Sequence, residues 1–337
     1  MFKKIMTILM IAILALSVVG CSSNSGEQAK VAMCTDVGGV NDQSFNQSAW
    51  EGLQKAEKEL KVKVSYQESK QDADFVPNLE TLNDAGNTLI WGIGYKLGDA
   101  ILEAAKKNPD TKYAIVDYAY EETPENVVGV VFQQEQPSFL VGYIAAKMTK
   151  TGKVGFVGGQ EGNIIGAFDY GYQAGVKYAN KDVEVLRQYA DSFNDSAKGK
   201  AIATSMYQQG ADIVFHAAGA VGDGVIEAAK EQNKYVIGVD RDQNYMAPDN
   251  VITSAMKRVD TGVYNVVKDL KEGKFPGGTT VSYGLKEGGV DIAPTSDKHV
   301  PAEILKEVDG LKKDIIDGKI VVPFDKDSYD EFVKNLK

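Results

Sequence analysis

From residue 30 onward, short apolar runs rich in β-branched residues alternate with longer segments whose apolar positions recur at helical spacing. The runs 30–36, 62–66, 88–92 and 112–117 predict strands, and so do 153–157, 183–188, 211–215 and 235–240. After the first of them, Ala49, Leu53, Ala56 and Leu60 form one apolar stripe of a helix. Ser44 and Gln47 predict a capping box at its start. Gly86 and Gly210 stand where left-handed helix ends are expected. Strands alternating with amphipathic helices predict parallel sheets covered on both faces.

The pattern occurs twice, about 124 positions apart. Val31-Ala32-Met33 leads to Gly38-Gly39, and Val154-Gly155-Phe156-Val157 leads to Gly158-Gly159. Ala85 to Trp91 matches Gln209 to Phe215. The helix text Gly98 to Lys106 nearly repeats as Gly222 to Lys230, and the next strands end in Asp117 and Asp240. Two further segments, 127–150 and 251–273, each give a strand and then an apolar helix ending near a glycine, Gly152 or Gly273. They read as crossovers, so the chain is expected to form two Rossmann-like α/β lobes joined by hinge crossovers and able to close on a ligand.

The first residues set the compartment. Lys3 and Lys4 precede an apolar run from Ile5 to Val19, and Gly20 precedes Cys21. This is the pattern of a secretory signal peptide, and the run is shorter than the roughly 20 residues of a spanning helix. The small residue before cysteine resembles a bacterial lipobox, which implies cleavage and acylation at Cys21 and a lipid-anchored protein on the outer face of the cell membrane. The expected division is therefore 1–20 as leader and 21–29 as lipidated cysteine and tether. One lobe takes 30–131 with part of 256–337, and the other takes 132–255 with another part of 256–337.

The net charge of −10, about −12 without the two leader lysines, excludes nucleic acid as a partner, because binding phosphates needs a basic footprint. Cys34 is the one cysteine after Cys21, and with His216 and His299 it makes no metal-ligand spacing. No phosphate loop is present, and the glycines of Gly92 to Gly98 fit an ordinary βα turn better than a dinucleotide fingerprint. No cofactor is expected.

Ligands of open α/β sheets bind beyond the carboxyl ends of the strands. The segments there are 36–45, 91–95, 117–120, 158–168, 215–219 and 240–243. They are rich in aromatics, carboxylates and amides and poor in cations, which points to a flat, hydroxylated, uncharged ligand. A sugar alone fits nearly as well, and free phosphate or a nucleotide fits less well. Structural alternatives stand beside each residue: Phe45 as a staple at a helix start, Trp50 as core, Asp117 and Asp240 as caps, Trp91 or Phe215 as packing within a sheet, and Lys257 as a solvated charge.

Asp36-Val-Gly38-Gly39-Val-Asn41-Asp42-Gln-Ser44-Phe45-Asn46-Gln47-Ser48-Ala-Trp50 resembles the signature of the basic membrane lipoprotein family, which includes the PnrA-type purine nucleoside receptors of ABC transporters. Phe215-His-Ala-Ala-Gly219, Gly238-Val-Asp240 and Lys257-Arg258-Val-Asp260 extend the resemblance over the mature chain. It implies a type I periplasmic-binding-protein fold, capture of purine nucleosides such as guanosine, inosine and adenosine, and delivery to a membrane permease. It implies Phe45 and Phe215 sandwiching the base, and Asn41 and Asp117 bonding its edge. Asp240 and Lys257 would hold the ribose, Asp36 would line the pocket, and Gly219 belongs to the same site. A binding protein, not an enzyme, is the expectation. The alternatives are a sugar receptor of the same fold, or a nucleoside hydrolase using carboxylates such as Asp36 and Asp240 to activate water.

Overall fold

The computed structural model describes Gln28–Leu336, so the leader, Cys21 and most of the tether lie outside the described residues. The first lobe is built by β1 (Lys30–Thr35), α1 (Phe45–Leu60), β2 (Lys63–Gln67), α2 (Phe75–Asp84), β3 (Leu89–Ile93), α3 (Gly98–Lys107), β4 (Lys112–Val116) and β5 (Val127–Phe132). The chain then crosses into the second lobe. That lobe contains α4 (Glu135–Met148), β6 (Lys153–Gly158), α5 (Asn163–Ala179), β7 (Glu184–Tyr189), α6 (Ser196–Gln208), β8 (Ile213–Ala217), α7 (Val221–Glu231), β9 (Tyr235–Asp240) and β10 (Val251–Lys257). It returns to the first lobe with α8 (Val259–Lys271) and β11 (Thr279–Tyr283). It ends in the second with β12 (Val290–Ile292), α9 (Ala302–Ile316) and α10 (Lys326–Asn335).

The two sheets repeat one topology. The first runs β11-β5-β4-β3-β1-β2 and the second β12-β10-β9-β8-β6-β7. Every pairing is parallel except β10 with β12. The central strands are buried on both faces, as parallel strands between helices must be. Apolar side chains from the helices close each sheet: Leu53, Ala56 and Val263 pack on Met33 and Trp91 in the first lobe, and Phe168, Tyr172 and Val176 pack on Phe156 and Phe215 in the second. Gly86 and Gly210, at φ +75° and +102°, follow the ends of α2 and α6, where only glycine takes that backbone without strain. Among the described residues no helix is long and apolar enough to cross a membrane.

Three connections join the lobes: β5 to α4, β10 to α8, and β11 to β12. They are tied to one another. Gln133 N–H donates to the Tyr283 carbonyl at 2.9 Å, Arg258 N–H to the Gly289 carbonyl at 2.9 Å, and Leu285 N–H to Gln136 Oε1 at 2.8 Å. Three short links between two lobes, bonded to one another, are the geometry of a hinge.

The expected capping box does not form. Ser44 makes no side-chain bond to the helix it precedes, and the Gln47 amide turns toward Glu51 instead. Asp42 caps α1: its carboxylate accepts from the backbone N–H groups of Ser44, Asn46 and Gln47 at 3.0, 2.9 and 3.1 Å. A carboxylate satisfies several orphan donors and meets the positive end of the helix dipole, which one hydroxyl cannot do. The hydroxyl of Ser44 is thereby released for another use.

Candidate ligand-binding site

The carboxyl ends of the two sheets face each other, and the cleft between them contains a cavity. From the first lobe it is lined by Asp36, Gly38, Asp42, Phe45, Asn46, Gly94, Tyr95 and Asp117. From the second come Ile164, Ile165, Phe168, Phe193, Ala217, Ala218, Gly219, Val239, Asp240 and Lys257. Of the residues expected at the site, Asp36, Phe45, Asp117, Gly219, Asp240 and Lys257 meet here.

Asp117 directly follows β4 and Asp240 ends the equivalent strand β9, and both hold left-handed backbone, at φ +66° and +63°. A non-glycine residue rarely adopts that conformation, and a matched pair at facing strand tips marks strain kept at a site. The turn aims each carboxylate into the cleft. There they meet partners from the opposite lobe: Lys257 Nζ donates to Asp117 Oδ2 at 2.5 Å, and the Ser44 hydroxyl freed from capping donates to Asp240 Oδ2.

Lys257 is 1% exposed and is no solvated charge. Its ammonium lies 4.9 Å from the centroid of Phe45, 5.4 Å from that of Phe132 and 5.7 Å from that of Phe168. Aromatic faces and one carboxylate together compensate a charge that burial alone would make very costly. Burial raises Asp36 and Asp240 to about 6, and for Asp240 Lys257 and the Ser44 bond oppose that rise. Asp36 Oδ1 accepts from Gly38 N–H at 2.9 Å and from Asn46 Nδ2 at 2.8 Å, so it organises the wall as well as lining it.

Two expected residues are placed elsewhere. Phe215 is 0% exposed and points into the second core, 5.5 Å from Phe156 and 5.2 Å from Tyr172 between ring centroids. The strand expected to end at 215 runs on to Ala217, so Phe215 sits within the sheet and Ala217-Ala218-Gly219 forms the tip. Its neighbour Phe168, 6.4 Å away, supplies the aromatic face to the cavity. Asn41 is exposed and does not line the cavity, whereas Asn46, the second residue of α1, does. His216 is fully buried beneath Gly222 of α7, away from the cavity, and burial lowers it to about 4. Trp91 is likewise core.

Sequence reasoning did not single out Asn46, Tyr95, Ile164, Ile165, Phe168 or Phe193. One signal was available for Phe168: the 123 positions that separate Asp117 from Asp240 also separate Phe45 from Phe168. Phe193 comes from the loop after β7, outside every strand-end segment considered.

The rim of the cleft is bridged too. Arg241 Nη2 donates to Glu51 Oε1 at 2.6 Å, Gln243 Nε2 to the Gln43 carbonyl at 3.1 Å, and the Tyr245 hydroxyl to Gln43 Oε1 at 2.6 Å. The site can therefore hold a small molecule between two lobes that latch around it. Among the described residues there is no cluster of three or more potential metal ligands.

The chain is similar to known proteins along nearly its whole length. Residues 29–326 match the family model described as ABC transporter substrate-binding protein PnrA-like. Basic membrane protein A of Borreliella burgdorferi is 46% identical over 341 residues, covering all of both chains. The ABC transporter nucleoside-binding protein BmpA of Lactococcus lactis is 42% identical over 353 residues, covering 96% of this chain and 99% of its own. Among solved structures, an ABC transporter solute-binding protein from Aeropyrum pernix superposes with a TM-score of 0.83 at 32% identity, covering 91% of this chain and 97% of that one. With a match over nearly its whole length and a cleft built for a small solute, the chain belongs to the PnrA-like family of ABC transporter substrate-binding proteins.

Proposed function

We propose that this protein captures purine nucleosides in the interlobe cleft and presents them to a membrane permease, held at the outer membrane face by acyl chains on Cys21. The observation that carries the reading is the arrangement around Lys257. Phe45 from one lobe and Phe168 from the other flank the same small volume, with buried carboxylates at its edge. Two aromatic faces suit a flat base. Carboxylates suit a ligand that donates through N–H and O–H groups.

In this conformation the cavity leaves about 60 Å³ free. That is less than the roughly 150 Å³ of a benzene-sized cavity. A base therefore enters by displacing the Lys257 ammonium from between the rings. Asp117 exchanges its lysine for base N–H groups, and Lys257 moves onto ribose hydroxyls beside Asp240. Lys257 keeps a carboxylate beside it in Asp240, and the Asp117 carboxylate keeps charge-assisted hydrogen bonds, now from the base, which limits the cost of the exchange. The role of Asp36 is to fix Gly38 and Asn46 in the wall.

The nucleoside-binding relative from Lactococcus lactis supports this ligand class. The test is a thermal-shift panel of inosine, guanosine, adenosine, cytidine, uridine, free bases, ribose, glucose and galactose. A ligand at a hundred times its Kd adds about 2.7 kcal/mol to stability. Stabilisation by purine nucleosides supports the reading. Stabilisation by a sugar alone contradicts it, and conversion of a nucleoside to free base during the assay would mark an enzyme instead.

A further inference from the structure

We infer that the first lobe's wall ranks purine nucleosides by the hydrogen-bond donors on their base edge, so that guanosine binds most tightly, inosine next and adenosine least. The inference rests on the nucleoside reading above and deepens it. Its basis is the set of acceptors left over once every bond within the wall is counted.

Asn46 cannot rotate its amide freely. Its Nδ2 donates to Asp36 Oδ1 at 2.8 Å and to Asp42 Oδ2 at 3.0 Å, and Asp42 is itself pinned as the cap of α1. With both N–H bonds committed to carboxylates, the flipped amide would set oxygen against oxygen. The carbonyl Oδ1 is thus the atom this side chain can offer, and it is buried with no partner among the described residues. Asp117 presents the same condition: Oδ2 takes Lys257, and Oδ1 is buried and unpartnered. Both residues line the cavity. Buried acceptors left unmade are costly, so a ligand gains most by bringing donors to them.

Purine edges differ in what they bring. Guanine carries N1–H beside an exocyclic amino group, two adjacent donors. Hypoxanthine carries N1–H alone. Adenine carries its amino group next to N1, which is an acceptor and would face an acceptor wall. The carbonyl of guanine or hypoxanthine still needs a donor, and Tyr95 lines the cavity with a hydroxyl to give. Sites that hydrogen-bond a ligand group reject analogues lacking it far more sharply than apolar pockets reject a methylene.

The experiment is calorimetric titration of the full chain, in detergent, with guanosine, inosine, adenosine and 1-methylguanosine. The expected order is guanosine over inosine over adenosine, with at least about tenfold between first and last. Loss of N1–H in 1-methylguanosine should cost about tenfold or more. Asp117→Asn, which replaces one acceptor by a donor, should narrow or invert the guanosine–adenosine ratio. Equal affinity for guanosine and adenosine, or an unimpaired 1-methylguanosine, overturns the inference while leaving the nucleoside reading intact. Binding of none of the four overturns both. The ligand series on the unmodified protein needs no variant, so a poorly folding Asp117→Asn does not block the test.

Discussion

The two lobes share a topology and differ in the walls they present. The first lobe meets the cavity with Asp36, Asp42, Asn46, Tyr95 and Asp117 around a single apolar ring, Phe45. The second meets it with Ile164, Ile165, Phe168, Phe193, Ala217, Ala218 and Val239, relieved by Asp240 and Lys257. Each wall supplies one aromatic face, and only the first is built mainly of groups that can read an edge. A duplicated scaffold can thus carry two chemistries, because sheet order and helix packing depend on apolar periodicity while the strand tips are free to differ. Asp117 and Asp240, matched between the lobes, share strained backbone but not partners: one pairs with Lys257 and the other with Ser44.

The largest effect is expected from breaking the charged link between the walls. Lys257→Met leaves the Asp117 carboxylate buried without its cation, and removing one member of such a pair typically costs about 3–5 kcal/mol. Chemical denaturation should show that loss. Adding Asp117→Asn to Lys257→Met should recover much of it, since no unpaired charge remains. Failure of the second substitution to restore stability would mean the pair is not the cause.

A smaller, pH-dependent effect belongs to Asp240. Its pKa stands at about 6 in the closed cleft, above the ordinary carboxylate value, so the closed form binds a proton that the unfolded chain releases. The corresponding stability is complete below about pH 4 and is lost as pH rises through about 6. Asp42, Asp117 and Lys257 share its surroundings. Asp240→Asn should therefore melt higher than the parent at pH 7, lose most of that advantage by pH 4, and bind nucleoside poorly at both. Parallel melting profiles for parent and variant across pH 4–7 would contradict this assignment.

The aromatic exchange gives a still finer comparison. Phe168→Leu keeps apolar volume but removes a face from the cavity and should weaken nucleoside binding by up to about tenfold. Phe215→Leu, at the neighbouring ring 6.4 Å away in the core, should lower stability and leave affinity within about twofold. The reverse pattern would restore Phe215 to the site. At the rim, Glu51→Ala removes the partly exposed pair with Arg241 and should cost less than about 1 kcal/mol, or a fewfold in affinity, an effect that salt diminishes.

The scaffold was legible because it rests on periodicity and repetition. Strands fell within a residue or two of their expected positions, and Gly86 and Gly210 ended the helices after which they stand. The site was legible only where it follows from a strand's end. Phe215 shows how narrow that margin is: extending β8 by two residues moves the ring from tip to core and leaves small residues at the tip. Ser44 shows a different limit. Its place before a helix makes it a natural cap, yet Asp42 two residues earlier outcompetes it, and the spare hydroxyl finds Asp240 from the other lobe. Nothing in local sequence announces a partner 196 positions away. Asn46 and Asn41 are equally plausible readers of a base on composition. Only the helix start decides that Asn46 turns inward and Asn41 outward.

The most direct test is a crystal structure of the protein grown with guanosine. The account predicts a base held between Phe45 and Phe168, its N–H edge on Asp117 and Asn46, and Lys257 moved from Asp117 onto the ribose. A base bound elsewhere, or a Lys257–Asp117 pair undisturbed beside a bound nucleoside, would contradict it.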